Sequence, residues 1–282
     1  MESQKLITEY LDYLENERGV SRYTLKDYDY YLRRFLNFLA EEKLINLNKI
    51  SHETIERYKQ SLTGEFKNST QNYFLIALRN FVLFLNIHKS FSPINYMDIT
   101  LVKHPKAKVS TLSKETLEKL LAAPDQSNPS GLRDKTIIEL ISRTGLKISE
   151  TTSLNRSSLD YARGVIEVKS KKSRFIDIPE GLVDILSAYL KSRKDSFEPL
   201  FIRMKGEVEA ENHGEKMRLS DRSVERMFKK YAQVLGIKDD ITPKLLRHSF
   251  AKDLLDQGEQ LVTVQKALGH INKASTKVYQ RA

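Results

Sequence analysis

Apolar positions in the first hundred residues recur three and four apart. Leu6, Ile7, Tyr10, Leu11 and Leu14 form one set, and Tyr28, Leu32, Phe35, Leu36 and Leu39 a second. Ile55, Tyr58 and Leu62 form a third, and Phe74, Leu78, Phe81, Val82 and Leu85 a fourth. That period puts each set on one face of a helix, so the segment predicts four amphipathic helices. Ser21 and Ser51 stand where a hydroxyl would satisfy free N–H groups at the second and third helix starts, and "LTGEFKNST" breaks the third from the fourth. The aromatic residues read most simply as the core of a small bundle.

The pattern then lapses in "TLVKHPKAKVSTL", which is polar, basic and interrupted by proline, the profile of a linker. Beyond it Ser113 caps the helical stretch "KETLEKLLAAP", "DQSNPSG" reads as a loop, and "LRDKTIIELISRTG" as an apolar helix. Two strand-like runs, "GVIEV" and "RFIDIP", flank the basic turn "KSKKS" and predict a hairpin. A helix over "EGLVDILSAYLKSRK", a short strand over "LFIRM", a polar loop "KGEVEAENHGEKMRLS" and helices from Asp221 onward complete the reading. The expected fold is mainly α with a small β-sheet (α+β), in domains 1–102 and 113–282 joined by a linker, 103–112.

Composition changes this picture in two ways. Residues 1–102 hold 13 Lys/Arg and 13 Asp/Glu, leaving 34 of 47 basic and 24 of 37 acidic residues for the rest of the chain. The excess of positive charge therefore lies in the second part, where a polyanion would be neutralised. Cysteine is absent, which excludes disulfides and thiol catalysis and suits a reducing interior. No apolar run nears the roughly 20 residues a membrane span needs, so a cytoplasmic protein without membrane contact is expected.

Several residues could carry chemistry. In "ITPKLLRHSFAKDLL" Thr242 and Pro243 open a helix that places Lys244 and Arg247 on one face. In "VQKALGHINKAS" Gly269 ends a helix and puts His270 on the following turn. Tyr279 follows nine residues later. Singly these read as a solvated basic face, a helix cap and one of 13 tyrosines, most of which must be packing residues. Together, "LRHSFAKDLL…VQKALGH…STKVY" closely resembles the C-terminal signature of the tyrosine recombinase/integrase family, particularly its Xer-like branch. "GLRDKTIIELISRTGLKISE" is similar to the family segment with the first catalytic arginine, and "VKSKKSRFIDIP" to the hairpin with the catalytic lysine. The helical N-terminal part and the linker also fall in the family's order.

The resemblance implies a four-helix, SAM-like core-binding domain and a C-terminal catalytic domain that form a C-shaped clamp on double-stranded DNA with inverted half-sites. It implies a tetrameric synaptic complex, a Holliday-junction intermediate and, in some members, a partner recombinase. No cofactor or metal is implied. Cutting a phosphodiester without a metal needs a nucleophile, positive charge on the non-bridging oxygens and an acid for the leaving oxygen. By the family pattern Tyr279 attacks to give a 3′-phosphotyrosine, whose ester keeps the bond energy so that rejoining needs no ATP. Arg247 clamps the phosphate, His270 supports it or handles protons, and Lys169 protonates the leaving 5′-oxygen. Glu150 orients the basic residues, while Lys171, Lys172, Arg174 and His248 are expected to contact DNA.

Two positions depart from the pattern. Lys244 stands where the family most often has histidine, and Lys147 where it has arginine. Lys147 keeps the charge but loses the planar fork, and one well-placed donor is worth roughly 3 kcal/mol of transition-state stabilisation. Slowed cleavage with normal DNA binding is therefore expected. Arg143, four residues earlier, should point away, because helix side chains tilt towards the N-terminus. Family members usually continue beyond the position of Ala282 with a segment that packs on a neighbouring protomer. Either the chain is clipped or it assembles without that exchange, and a monomer in solution with weak cooperativity on DNA is expected. Two other readings share the sequence: a DNA-binding protein of recombinase descent that no longer cuts, and a type IB topoisomerase.

Overall fold

A computed structural model describes residues 2–44, 46–89, 94–105, 109–169 and 173–281. The chain divides into two compact units, residues 1–106 and 107–282. Among the described residues no helix is long and apolar enough to cross a membrane.

The first unit holds the four expected helices, α1 (Glu2–Asn16), α2 (Arg22–Glu41), α3 (His52–Leu62) and α4 (Asn68–His88). Ser21 accepts from the Thr24 N–H at 3.3 Å, and Ser51 exchanges hydrogen bonds with Thr54 in a reciprocal capping box. Tyr10, Phe35, Tyr58, Phe74 and Phe81 are fully buried in the core as expected, whereas Tyr23, Tyr30 and Tyr73 are exposed. Phe35 meets Tyr58 edge-on at 4.8 Å, the arrangement the ring quadrupoles favour. The segment leaving the bundle is pinned to α4, because the Asn72 amide donates to Val102 O and accepts from Val102 N, at 3.0 and 2.8 Å.

The second unit is built around α6 (Pro129–Thr144), whose Ile137, Ile138, Leu140 and Ile141 are fully buried. It starts earlier than the apolar pattern suggests, since Asn128 caps it through the Gly131 N–H and Pro129 takes the first helical position, where no N–H is needed. Before it α5 (Lys114–Ala122) is capped by Ser113 as expected. After it come the five-residue α7 (Ile148–Thr152) and a three-stranded antiparallel sheet, β1 (Leu159–Asp160), β2 (Val165–Val168) and β3 (Arg174–Asp177). The β2–β3 hairpin is the expected one, with Val168 opposite Arg174. The two-residue β1 is too short to leave a periodic trace.

The expected strand over "LFIRM" does not form. Leu200 donates to Leu154 O, Arg203 to Met217 O, and Phe201 O accepts from Leu219, so these backbone groups are shared among separate segments and form no ladder. The remaining elements are α8 (Leu182–Ser192), the turn α9 (Glu211–Gly214), α10 (Asp221–Val234), α11 (Pro243–Asp256), α12 (Leu261–Leu268) and α13 (Ala274–Lys277). Helices α8 and α11 pack on α6. Ser249 on α11 accepts from the Leu112 N–H at 2.8 Å, which fastens the start of this unit to the helix that carries Arg247.

Two glycines shape the ends of α6 and α12. Gly145 and Gly269 both take φ of 63°, the left-handed conformation that closes a helix C-terminus. At Gly269 an added Cβ would lie 2.7 Å from the Arg174 guanidinium, whereas at Gly236, with φ of 64°, it would meet nothing within 4 Å. Replacing either by alanine is expected to cost about 1 kcal/mol of backbone strain, but Gly269→Ala should destabilise the second unit further because it displaces Arg174. Urea unfolding of both variants measures that difference; equal losses would show that the contact is accommodated.

Candidate functional site

The site begins where α6 ends. After Gly145 the chain turns so that Lys147 caps α7, and Glu150 reaches back to accept the Lys147 backbone N–H at 2.9 Å. The Glu150 carboxylate is buried and holds the Arg174 guanidinium bidentately, at 2.7 and 3.0 Å. Burial alone would favour its neutral form. The Arg174 fork, the Lys147 N–H and the charges of both residues outweigh it, so the carboxyl stays below the usual carboxylate range. Arg174 leaves β3 and lies against Gly269, which joins the hairpin to the end of α12.

Arg247, one turn into α11, is 6% exposed. Its guanidinium donates to Gly145 O at 2.5 Å and to Leu268 O at 2.7 Å, carbonyls at the C-terminal ends of α6 and α12 that have no helical partner. Glu150 lies 3.8 Å from it. Burial pulls the pKa of Arg247 down and the Glu150 charge opposes this, but a guanidinium remains cationic in a protein.

His270 and Tyr279 complete the cluster. His270 follows the Gly269 turn, its N–H donates to Gln265 O, and its Nδ1 lies 2.9 Å from Thr276 Oγ1. Burial, then Arg247 and Lys147, push its pKa down to about 4, so the ring is neutral at physiological pH. Tyr279 lies in the turn after α13 and is 2% exposed, packed with Ala251, Val264 and Leu268. Burial raises its phenol pKa, against the pull of Arg247. Its ring is parallel to that of His270, with centroids 6.4 Å apart, and its Oη lies 2.7 Å from His248 Nδ1.

The fold thus gathers Lys147, Glu150, Arg174 and His270 around one cavity of about 610 Å³, which Lys266 and Gly269 also line. Arg247 adjoins it through Glu150, 3.8 Å away, and Tyr279 through the parallel ring of His270. Four cations, Lys147, Arg174, Lys266 and Arg247, and a neutral imidazole surround a single buried carboxylate, an arrangement suited to an oxyanion. Lys244 is exposed and lines a separate depression with Lys229 and Asp240. Lys169 is exposed where β2 ends, and Lys171 and Lys172 lie outside the described residues. Arg143 pairs with Glu139 at 2.6 Å, away from the cluster.

Two placements differ from a simple DNA-contact role. Arg174 commits both terminal nitrogens to Glu150, and His248 turns towards the Tyr279 hydroxyl. Sequence reasoning also missed Thr276 and the two carbonyls that hold Arg247. The carbonyls carry no side-chain signal, while Thr276, three residues before Tyr279, is at least legible as a neighbour on the same turn.

The "Phage integrase family" pattern matches residues 110–282, and that of the "Phage integrase, N-terminal SAM-like domain" matches residues 7–89. The tyrosine recombinase XerC of Thermodesulfovibrio yellowstonii is 32% identical to this chain over 98% of it and 91% of the relative. The tyrosine recombinase XerA of Thermococcus kodakarensis is 30% identical over 99% of this chain and 92% of the relative. Among solved structures, the XerH site-specific recombinase bound to a palindromic difH substrate in a post-cleavage complex shares the fold, with a TM-score of 0.77 at 21% identity over 94% of this chain and 78% of the other. With both of its units matched and such relatives spanning nearly its whole length, the chain belongs to the phage integrase family of tyrosine recombinases, in the Xer-like branch.

Proposed function

We propose that the protein is a site-specific recombinase that cuts and rejoins duplex DNA through a 3′-phosphotyrosine at Tyr279. The observation that carries this reading is the packing of a phenol against the Arg247, His270, Lys147 and Glu150 cluster within one unit. Arg247 has N–H groups beyond the two spent on carbonyls, and these would face the non-bridging oxygens of a phosphodiester. His270 is neutral, and with Thr276 donating to Nδ1 its Nε2–H is left to support the same phosphate. Lys147 adds a point charge at the cavity wall, and Glu150 holds Arg174 and Arg247 in place.

Lys169 would protonate the leaving 5′-oxygen, with Lys244, Lys171 and Lys172 adding positive charge to the DNA face. Two protomers would bind inverted half-sites, and two such duplexes would exchange strands in turn through a Holliday junction. Phosphate contacts would supply most of the affinity.

A second reading is favoured by one feature. Lys147 replaces the fork that the family pattern places at the cavity, which suits a DNA-binding relative that cuts poorly or not at all.

The test selects bound duplexes from random DNA, places a nick near the centre of the selected site and looks for an SDS-resistant adduct. An adduct is expected with the unaltered chain and none with Tyr279→Phe; specific binding without an adduct would favour the second reading. Lys147→Arg is expected to raise single-turnover adduct formation on the order of a hundredfold while leaving DNA affinity unchanged. An unaltered or lower rate would show that lysine serves the site as well. Affinity should also fall steeply with salt, with a slope near −0.9 per neutralised phosphate; a flat dependence would remove phosphate as the main ligand.

A further inference from the structure

His248 follows Arg247 on α11, and its Nδ1 lies 2.7 Å from Tyr279 Oη, the only hydrogen-bond partner of that hydroxyl among the described residues. The two ring centroids are 5.3 Å apart at an angle of 57°, so the imidazole meets the hydroxyl with its nitrogen edge. The other imidazole of the site is differently disposed. His270 spends Nδ1 on Thr276 and turns a ring face, parallel within 6°, towards the phenol. Lys244 offers no alternative as a proton acceptor, because an ammonium has three donors and no acceptor.

We propose that His248 is the base that takes the Tyr279 proton as the phenol attacks DNA, an inference that rests on Tyr279 being the nucleophile. Nδ1 accepts the Oη proton while the Oη–phosphorus bond forms and the phosphorus–O5′ bond breaks. The electron pair departs on O5′, which is protonated by a separate acid, Lys169. In rejoining, Lys169 takes that proton back as O5′ attacks, and the His248 imidazolium returns its own proton to the departing tyrosine oxygen.

The charged and titratable groups around His248 are Lys244 and Arg247 on its own helix, Tyr279 on the closing turn and His270 on the loop after α12. Burial first, then the two cations, lower its pKa, so the resting ring is neutral and able to accept. An arriving phosphodiester brings negative charge that offsets those cations, which makes proton acceptance depend on bound DNA.

Single-turnover adduct formation on the nicked duplex tests the assignment. His248→Asn keeps an acceptor near the Nδ1 position without a basic nitrogen, and His248→Ala removes both. Each is expected to slow cleavage about a hundredfold at neutral pH. The unaltered chain should lose rate as pH falls through the lowered His248 pKa, and both variants should lack that limb. Placing 3,5-difluorotyrosine at position 279 makes the phenol more acidic and should bring His248→Asn back to within about tenfold of the unaltered chain. A His248 that only props the ring would give no such rescue. Cleavage by His248→Asn at the unaltered rate and pH profile, faster cleavage, or a loss that the fluorinated phenol does not recover would each overturn the proposal.

Absence of an adduct even with the unaltered chain would mean that the recombinase reading fails. The His248 contact is then judged without DNA, by fluorine NMR of the substituted tyrosine. Its resonance is expected to shift as His248 titrates and to lose that step in His248→Asn; a step unchanged in the variant would overturn the assignment.

Discussion

The second unit depends on a buried guanidinium. Arg247 brings a full positive charge to a position 6% exposed, which is costly unless its hydrogen bonds and charge are answered. They are answered by two carbonyls at helix C-termini, where the helix dipoles present partial negative charge, and by Glu150 nearby. The same bonds tie α6 and α12 to α11. The left-handed turns at Gly145 and Gly269 are what allow the carbonyls at those helix ends to turn inward. Fold and site are therefore one arrangement: the residue that would meet a phosphate also holds three helices in register.

A division of labour follows among the remaining charges. Glu150 fixes the backbone of Lys147 and the side chain of Arg174, but it leaves the Lys147 side chain exposed at the cavity. The scaffold at position 147 is made by the main chain. A change of side chain there alters the chemistry of the cavity wall without removing any bond that the fold relies on.

Much of this was legible in the sequence. The four helices of the first unit follow from apolar residues three and four apart, and Ser21, Ser51, Ser113 and Thr242 cap helices as their positions suggest. The "LFIRM" run has the composition of a strand, but its backbone partners come from scattered segments that no local pattern reveals. The site divides in the same way. The resemblance to the family signature singles out Arg247, His270 and Tyr279, whereas the bond from Arg247 to Gly145 joins positions 102 residues apart, and the one from His248 to Tyr279 joins positions 31 apart. The side chains of His248 and Arg174 point where the packed helices send them, so only the tertiary structure separates a phosphate contact from a partner of Tyr279 or Glu150.

Burial of Tyr279 raises its phenol pKa, while burial and neighbouring cations lower that of His248. Both shifts keep the proton on oxygen when nothing is bound. The resting hydroxyl is thus held protonated, beside the apolar packing of Ala251, Val264 and Leu268. On the proposed reading, the phenol would become a nucleophile only once bound DNA supplies the negative charge that offsets Lys244 and Arg247.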